Sequence, residues 1–407
     1  MNTTERIVVT GLGVVSAVGT GVDAFQRALA AGRSGIGPIQ FPWPTAYASL
    51  RAGQVADEDF APLLPAGTEM GRASRLAVAS TRLALDHAGI AWPTPRPDRI
   101  GVIVGTALGD ASELEAEWQR FRESDGAAPR PQGPMWMRLG NLAERVSTAF
   151  GLEGPSHLLT STCAAGNHAI AWSAAILQAG TADVMVAAGA DTIGYVDILG
   201  FTRLLLQAPQ RCQPFDRHRK GTILSEGAAA LVLETLSSAR RRGAPILAEV
   251  LGYGTSCDAA GPFASSVTDT RGMRVAFERA LRKARISPDV IDHVSAHGSG
   301  TRLNDQKETL FLKQVLGDRA YHVPVSAIKA MLGHAQGAAA LFEAVACVLT
   351  LTRRVMYPTI NYETPDPQCD LDYIPNEARE GDVATILSNA FGVGGNNALV
   401  IFRRWDA

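Results

Sequence analysis

The sequence predicts an α/β protein built from two similar halves. Short, continuous apolar runs, typical of buried parallel strands, alternate with helical stretches along the 407-residue chain. The later part of the chain repeats the order of the earlier part, with an apolar strand and a Gly-x-Gly step at its start and another apolar strand at its end. The alternation indicates helices layered against sheets, and the repetition indicates an internal duplication.

The first half contains four predicted strands. They are RIVVTGLG (6–13), RIGVIVGTALG (99–109), ADVMVAAGAD (182–191) and AAALVLETL (228–236). Helical patterns occur between them at 74–89 and 166–180. The segments 38–66 and 110–134 are rich in Pro and charge and lack periodicity, so we expect caps or loops there.

The second half follows the same plan. PILAEVLGYGTSCDAAG (245–261) resembles the opening strand, and NNALVIFRRW (396–405) resembles the closing strand. The Arg-rich, turn-like stretch SSARRRGAP (237–245) lies between the halves and is too short for a flexible linker. We therefore predict two units, 1–245 and 246–407.

Composition excludes several classes of protein. The formal net charge is −2, so the chain has no global field that would attract nucleic acid or an anionic membrane. The longest apolar region, 164–190, contains Asn, His, Gln and Asp, so we expect no membrane span. Glu5 precedes the first apolar run, which argues against a signal peptide. Five scattered cysteines without a CxxC pair argue against disulfides and zinc fingers and predict a cytoplasmic protein.

Cys163 is the best candidate nucleophile. It follows an apolar strand and begins a helix of small residues, where the helix dipole and free N–H groups favour a thiolate. Ala164, Ala165 and Gly166 leave room for a substrate near the sulfur. A buried structural cysteine is an equally good interpretation of this residue alone. We adopt that interpretation for the other four cysteines, Cys212, Cys257, Cys347 and Cys369.

A second candidate segment is DHVSAHGSGTRLNDQKET (292–309), in which a predicted strand ends at His297. The glycines that follow allow close approach of a ligand, and Ser299 and Thr301 offer hydroxyl groups. A lone histidine at a strand end is usually structural. His293 and His297 have the spacing of a helical metal pair, but the local pattern favours a strand, so we predict no metal site.

The third segment, VPVSAIKAMLGHAQGAAALFEA (323–344), places Lys329 in apolar surroundings five residues before His334. Glu343, further along the same helix, is the most plausible counter-ion for Lys329. A snorkelling surface lysine is the alternative, and the scarcity of lysine in the chain makes it less favourable.

The fourth segment, LSNAFGVGGNNALVIF (387–402), is a Gly-rich loop between two predicted strands. No GxxxxGK[ST] motif and no full GxGxxG motif occur, so phosphate binding is unsupported. Each segment alone is a modest signal. Together, a helix-start cysteine, two Gly-flanked histidines, a lysine and a Gly loop predict a nucleophile with catalytic partners.

These motifs resemble those of the β-ketoacyl-acyl carrier protein synthases, in particular the chain-elongating type II enzymes of fatty acid and polyketide synthesis. The resemblance covers nearly the whole chain, and its motifs occur in one order. They are VVTGLGVVSAVG, STCAAG, PFDRHRKG, AHGSGTRLND, KAMLGHAQGAA, PTINYETPDPQCDLDYIP and NAFGVGG. The resemblance implies the thiolase fold, in which two similar α/β halves form a five-layer αβαβα sandwich that is usually a homodimer.

The resemblance also implies a decarboxylative Claisen condensation. Cys163 would carry an acyl group as a thioester, and His297 and His334 would stabilise the enolate formed when malonyl carrier protein loses carbon dioxide. The backbone N–H groups of Cys163 and Phe391 would form the oxyanion hole. Lys329 would set the charge around the histidines.

Further roles are carried over to matching positions. Glu343 would pair with the catalytic lysine, Ser299 and Thr301 would contact the phosphopantetheine arm, and Phe391 and Phe201 would gate the acyl pocket. No cofactor or metal is implied, because substrates arrive on the phosphopantetheine arm of acyl carrier protein. The partners implied are acyl carrier protein and a second ketosynthase subunit, identical or merely similar.

The chain departs from the family pattern inside the pocket. Val393 stands where a second Phe is usual in the Gly-rich loop, and Asn396 stands where Thr is usual. Thr222 and Ser225 replace a bulky residue and a Gly. These four changes would reshape the gate and the acyl pocket.

A further departure concerns carrier-protein docking. The stretch near 55–70, where relatives often carry basic residues, reads ADEDFAPLLPAGTE and is acidic. Arg72, Arg75 and Arg203 are the nearby basic candidates. We therefore predict a specialised carrier protein or an obligate partner subunit, as in type II polyketide synthesis more than in housekeeping fatty acid synthesis.

Alternative functions are a non-catalytic chain-length factor, a degradative thiolase and condensation onto another acceptor. A chain-length factor would have lost the nucleophile, which is present here. A thiolase would place a second cysteine near the C-terminal Gly loop, and residues 387–402 contain none. The sequence leaves the third alternative open.

Overall fold

The computed structural model describes residues 5–41, 49–67, 70–125, 127, 141–260 and 266–406. The strands are β1 Ile7–Ser16, β2 Gly19–Thr20, β3 Ile36–Pro38, β4 Arg51–Gly53, β5 Ile100–Thr106, β6 Ser156–Thr160, β7 Val184–Asp191, β8 Gly227–Thr235, β9 Ala248–Cys257, β10 His293–Ser295, β11 Val325–Ser326, β12 Val355–Met356, β13 Arg379–Glu380, β14 Thr385–Gly392 and β15 Asn396–Arg404. The helices are α1 Val22–Ala30, α2 Arg72–Ala88, α3 Ala111–Glu123, α4 Asn141–Phe150, α5 Ala165–Gln178, α6 Tyr195–Arg203, α7 Leu236–Arg241, α8 Arg271–Ala284, α9 Arg302–Leu316, α10 Lys329–Leu332 and α11 Ala339–Arg353.

The main sheet has the strand order β11-β10-β14-β15-β9-β1-β8-β7-β5-β6, with β2 paired to β1. In the first half, β1 pairs antiparallel with β8, β8 antiparallel with β7, β7 parallel with β5, and β5 parallel with β6. In the second half, β9, β15, β14, β10 and β11 pair in the same directions and order. The internal duplication is thereby confirmed, whereas its division at residue 245 stays a prediction.

The three largest hydrophobic clusters of the described residues lie between the helices and the sheet of a five-layer arrangement. Helices α2 and α4 cover the outer face of the first half, helices α5 and α11 fill the space between the halves, and helices α8 and α9 cover the outer face of the second half. Representative side chains of the three cores are Leu76, Val146 and Val186; Ile170, Leu341 and Phe402; and Phe277, Phe311 and Leu399. The predicted αβαβα sandwich is therefore confirmed.

Strands β1 and β9 connect the sheets of the two halves. Strands β1 and β9 pair antiparallel over three residue pairs, Ile7–Val250, Val8–Glu249 and Val9–Ala248. The nucleophile segment follows β6 in the first half, and the predicted histidines follow β10 and β11 in the second. The central helices α5 and α11, which follow these segments, pack against each other between the two halves. This arrangement brings the candidate residues together.

The strand and helix predictions for the first half are confirmed, but one segment differs. Residues 110–134 were expected to be irregular, and α3 lies within them, whereas 126 and 128–134 fall outside the described residues. Glu, Ala and Arg predominate in α3 and favour a helix, and Leu114, Trp118 and Phe121 recur at helical spacing on one face of it. The segment 38–66 was also expected to be a cap or loop. It contains the last residue of β3, the short strand β4 and two 3-10 turns, and residues 42–48 fall outside the described residues. Among the described residues, no helix has the length and apolar character needed to traverse a bilayer.

Candidate active site

Cys163 lies in a single 3-10 turn, Thr162–Ala164, between strand β6 and helix α5. The turn has an unusual backbone, because Thr162 has φ +50°, a conformation that β-branched residues rarely adopt. Cys163 is 7% exposed. A Cβ on Gly166 would lie 2.3 Å from Cδ2 of Leu341, so the start of α5 sits close against α11.

Burial raises the pKa of the Cys163 thiol to about 11, although the charge of Lys329 and hydrogen bonding with the Val393 backbone both lower it. This direction is opposite to the effect of the helix start, which favours the thiolate. Loss of hydration at a fully buried sulfur outweighs the favourable charges around it. The resting nucleophile is a thiol at neutral pH.

His297 is held by polar groups behind it. Glu308 accepts hydrogen bonds from the backbone N–H groups of His297 (2.8 Å) and Gly298 (2.9 Å). Nζ of Lys329 donates to the carbonyl oxygen of His297 (2.6 Å) and lies 3.4 Å from Nδ1 of its ring. An ammonium group only donates, so Nδ1 of His297 accepts and the ring proton resides on Nε2.

His334 is fixed by its backbone and by its own Nδ1. Its N–H donates to the carbonyl oxygen of Ile223 (2.7 Å), and its carbonyl oxygen accepts from the N–H of Ser225 (3.1 Å). The backbone N–H of Gln336 donates to Nδ1 of the ring (3.1 Å). His334, like His297, therefore carries its ring proton on Nε2.

The structure brings the nucleophile and both histidines together. Ligating atoms of Cys163, His297 and His334 all lie within 4.8 Å of one another, and the two imidazole centroids are 5.5 Å apart. All three residues line one cavity of about 310 Å³. The other predicted site residues that line it are Phe201, Ser299, Thr301 and Phe391.

Both imidazoles are neutral. Burial, followed by the charge of Lys329, lowers the pKa of His297 and of His334 well below the usual histidine value. Each ring therefore presents an N–H donor without a charge. Two such donors in a site largely shielded from water suit an oxygen on which negative charge develops.

The same tautomers argue against metal binding. Cys163, His297 and His334 have the spacing of a metal site, and within the described part of the chain no other such group was found. However, Nδ1 of each ring already accepts a hydrogen bond, and Nε2 carries a proton in place of the lone pair that a metal needs. The chemistry of the donors does not fit a resident metal, and the absence of one stays a prediction.

Lys329 and Glu343 form a buried ion pair behind His297. Burial raises the pKa of Glu343 to about 7, and the adjacent Lys329 opposes this rise. The second oxygen of Glu343 has no hydrogen-bond partner among the described residues. The pairing predicted from the sequence is therefore present, and it places a positive charge against His297.

The Gly-rich loop turns at Val393–Gly395, between β14 and β15. The Val393 backbone hydrogen-bonds Cys163, and the hydroxyl of Thr162 lies 3.2 Å from the Val393 carbonyl oxygen. Phe391 contributes its ring, whose centroid is 6.0 Å from that of His297. The backbones of Val393 and of Cys163 itself both lower the pKa of the sulfur, and the oxyanion hole assigned to the N–H groups of Cys163 and Phe391 stays a prediction.

Three buried carboxylates that support the site were missed from the sequence. Glu308 holds the His297 loop, as described above. Asp191 accepts from the hydroxyl of Thr106 (2.7 Å) and the N–H of Gly337 (2.8 Å), which ties the segment after His334 to β5, and burial raises its pKa to about 6. Asp191 is the last residue of the apolar strand β7. An acidic residue at the end of a buried strand could have been recognised from the sequence as a candidate supporting carboxylate.

The third carboxylate, Asp305, contacts the PFDRHRKG motif (214–221). Arg219 is 1% exposed; it pairs with Asp366 at 2.6 Å and lies 3.6 Å from Asp305. Asp305 also accepts from the N–H of Phe215 (2.8 Å). This cluster anchors the start of α9 directly after the Ser299–Thr301 stretch. The motif therefore has a structural role beside the cavity.

Comparisons with known proteins agree with this geometry. Residues 4–239 match the model of the beta-ketoacyl synthase N-terminal domain, and residues 247–363 match that of the C-terminal domain. The tetracenomycin polyketide synthase ketoacyl synthase alpha subunit of Streptomyces glaucescens is 38% identical, over 98% of this chain and 97% of that protein. The 3-oxoacyl-[acyl-carrier-protein] synthase 2 of a Synechocystis strain is 34% identical, over 99% of each.

Solved structures of ketosynthases are also similar to this chain. The ishigamide ketosynthase/chain length factor has a TM-score of 0.92 and 34% identity, covering 99% of this chain and 100% of that one. A type II polyketide synthase ketosynthase in complex with its acyl-carrier protein, AntDE:AntF, has a TM-score of 0.90 and 30% identity, with the same coverage.

Proposed function

The chain belongs to the β-ketoacyl synthase family, and from that membership we propose that Cys163, His297 and His334 perform its decarboxylative condensation. An acyl group on Cys163 is joined to malonyl carrier protein, giving a β-ketoacyl carrier protein and carbon dioxide. The observation that carries the assignment is the convergence of one sulfur and two neutral imidazoles within 4.8 Å. We propose no cofactor other than the phosphopantetheine arm of the carrier protein.

Acyl loading is a thioester exchange. The Cys163 sulfur attacks the acyl thioester, the bond between the acyl carbon and the pantetheine sulfur breaks, and the Cys163 proton ends on the departing thiol. No net charge is left in the buried site, which fits a nucleophile that rests as a thiol. The Val393 backbone hydrogen bond stabilises negative charge at the sulfur during the exchange.

Decarboxylation uses the two imidazoles. The thioester carbonyl of the malonyl group accepts hydrogen bonds from Nε2–H of His297 and His334. The bond to the carboxylate breaks, carbon dioxide leaves, and the electron pair forms an enolate between the two donors. A single preorganised donor of this kind contributes about 3 kcal/mol in enzymes generally.

Condensation closes the cycle. The enolate carbon attacks the carbonyl of the Cys163 thioester, and the resulting tetrahedral intermediate collapses with departure of the Cys163 sulfur as a thiolate. The thiolate then takes up one proton from water, which balances the charge of the carboxylate lost as carbon dioxide. The Phe201 ring lies edge-on to His334 at 6.3 Å, and Phe391 borders His297, so the aromatic side chains predicted as gates contact the catalytic rings.

The proposed pathway is type II polyketide synthesis, with a second ketosynthase-like subunit as partner. The neighbours named above include a ketosynthase/chain length factor and a ketosynthase bound to its acyl-carrier protein. In this chain, β6 ends the sheet with largely exposed residues, and Trp172 on the adjacent α5 is 52% exposed. An edge strand and an exposed tryptophan side by side favour a protein partner. Native mass measurement, alone and with a co-expressed chain-length factor, distinguishes a homodimer from a heterodimer.

A non-catalytic subunit is the second candidate, and intact-mass measurement separates it from an enzyme. Acetylated carrier protein should add one acetyl mass to the wild type and none to Cys163→Ala. Cys257→Ala, which removes an exposed thiol, is the matched control and should still gain the acetyl mass. Absence of the adduct in the wild type, with its partner subunit present, would refute the enzyme assignment.

A further inference from the structure

One face of helix α6 runs inward from the mouth of the active-site cavity. Asp197, Phe201 and Leu204 stand at positions i, i+4 and i+7 of this segment, the spacing that places side chains on one face of a helix. Phe201 and Leu204 line the cavity, and Leu204 is 41% exposed whereas Asp197 is 6% exposed. Asp197 therefore continues the lined face inward, one helical turn behind the aromatic ring that borders His334.

Gln336 approaches the same place from the second half of the chain. It begins the 3-10 turn Gln336–Ala338, which packs against the turn Thr162–Ala164 that carries Cys163. Its backbone has φ +48°, and its N–H donates to Nδ1 of His334 (3.1 Å). Gln336 thus lies beside both the nucleophile turn and a catalytic histidine, with 4% of its surface exposed.

The side-chain amide of Gln336 has an unused hydrogen-bond donor. Its Nε2 is buried and reaches no acceptor among the described residues. Such donors are uncommon in folded proteins, because they lose their hydration and gain no bond in return. A ligand that brought an acceptor to this position would remove that cost.

The carboxyl group of Asp197 lies next to this amide. Its Oδ2 accepts from the N–H of Gly194 (2.9 Å), and within the described ranges no lysine or arginine forms an ion pair with it. Burial raises the pKa of Asp197 to about 7, whereas the Gly194 N–H and the neighbouring Gln336 side chain lower it. The two side chains thus offer a donor and an acceptor side by side, close to the sulfur that carries the acyl group.

We propose that Gln336 and Asp197 form a polar subsite, which we call the oxygen subsite, for a hydroxyl group on the acyl chain that Cys163 carries. This inference rests on the proposed function, because it names the class of acyl group that the enzyme prefers. A hydroxyl oxygen accepts from Nε2–H of Gln336, and the same hydroxyl donates its proton to the carboxylate of Asp197. A saturated chain of equal length makes neither bond and leaves the amide unpaired.

Matched pairs of acyl thioesters test the proposal. The donors are the N-acetylcysteamine thioesters of butyric and 3-hydroxybutyric acid, and of hexanoic and 6-hydroxyhexanoic acid. Intact mass follows the adduct on Cys163 of the full-length chain, with Cys163→Ala as the background. For the wild type, we expect the loading rate constant to be about tenfold higher for the hydroxylated member of at least one pair. Equal rate constants within both pairs would overturn the proposal.

Gln336→Leu separates this role from a structural one. Leucine keeps the backbone N–H that bonds His334 and adopts φ +48° no less readily than glutamine, but it lacks the amide. We expect the preference to fall to within twofold of unity, mainly because the saturated chain loads faster. Asp197→Asn keeps an oxygen for the Gly194 N–H and should lower the preference at least threefold.

Gln178→Leu is the matched control. Gln178 accepts from the Tyr253 hydroxyl (3.1 Å) and is not among the described residues that line the cavity, so this variant should retain the wild-type preference. A wild-type preference in Gln336→Leu would overturn the proposal. An equal fall in loading from both members of a pair would overturn it too, since Gln336 would then act only through the geometry of the site. If no thioester loaded Cys163 of the wild type, the proposed function itself would fail.

Discussion

Nζ of Lys329 lies 2.6 Å from the carbonyl oxygen of His297 and 3.4 Å from Nδ1 of the same residue. One buried cation thus fixes both the backbone and the tautomer of a catalytic histidine. Burial lowers the pKa of His297 and of His334 most, and the charge of Lys329 lowers both further, so that both rings stay neutral. The lysine acts through the imidazoles and is a positioning residue.

Lys329→Met should destabilise the protein in a pH-dependent way. Glu343 would lose its buried counter-ion, an effect of about 3–5 kcal/mol when the carboxylate stays ionised. Because Lys329 lowers the pKa of Glu343 against burial, its removal raises that pKa above about 7. The carboxyl then takes up a proton at low pH, so the loss of stability should be smaller at pH 6 than at pH 9. Urea unfolding of the wild type and the variant at pH 6 and at pH 9 measures the difference in their free energies of unfolding. The double variant Lys329→Met/Glu343→Gln should recover most of the stability, and no recovery would argue against the pair.

Removal of either imidazole should suppress decarboxylation. His297→Ala and His334→Ala each delete one Nε2–H donor, and we expect carbon dioxide release from malonyl carrier protein to fall about 10²–10³-fold for each. Cys163→Gln, which mimics an acylated residue and keeps both donors, should continue to release carbon dioxide. A decrease of less than tenfold in both histidine variants would show that the enolate is stabilised elsewhere.

The ionisation of Cys163 should be visible in its alkylation rate. A raised thiol pKa favours the protonated form at every pH below it, so with a pKa of about 11 the thiolate fraction near pH 7 is about 10⁻⁴. Iodoacetamide should react about tenfold faster for each pH unit up to about pH 10, with Cys163→Ala as the background. A rate that levels off near pH 7 would instead support the thiolate expected from the sequence.

Thr162 should show opposite effects on stability and activity. Thr162→Gly relieves a strained φ of +50° and should stabilise the fold by about 1 kcal/mol. The same change removes the hydroxyl that lies 3.2 Å from the Val393 carbonyl oxygen, so acyl loading should slow. Thr162→Ser retains the hydroxyl and should load normally. Equal loading by the Gly and Ser variants would exclude this role of the hydroxyl, and thermal unfolding measures the stability change.

The fold and the reacting groups could be read from local sequence patterns. Buried parallel strands require continuous apolar runs, and both halves contain them, so β1, β5, β7 and β8 were predicted within a few residues. Cys163, His297 and His334 stand in Gly-rich or small-residue contexts because a substrate must reach them. Such contexts are visible along the chain.

The supporting charges could not be read in this way. Glu308 lies in the middle of a helix, and Arg72 lies at the start of one, where neither differs in sequence from a surface residue. Their roles depend on partners 11 and 154 positions away. The raised pKa of the Cys163 thiol could not be predicted for a similar reason, because the depth of its burial is a property of the packed layers. Long-range packing sets these properties.

The placement of the reacting groups on opposite repeats has a consequence for any severed form of this protein. A fragment ending near residue 243 would keep the sulfur of Cys163 and lack both imidazoles. The complementary fragment would contain both imidazoles and lack the sulfur. Neither fragment alone would catalyse the condensation. Since the β1–β9 contact and the central helices hold the pieces together, mixing the fragments would be the way to restore turnover.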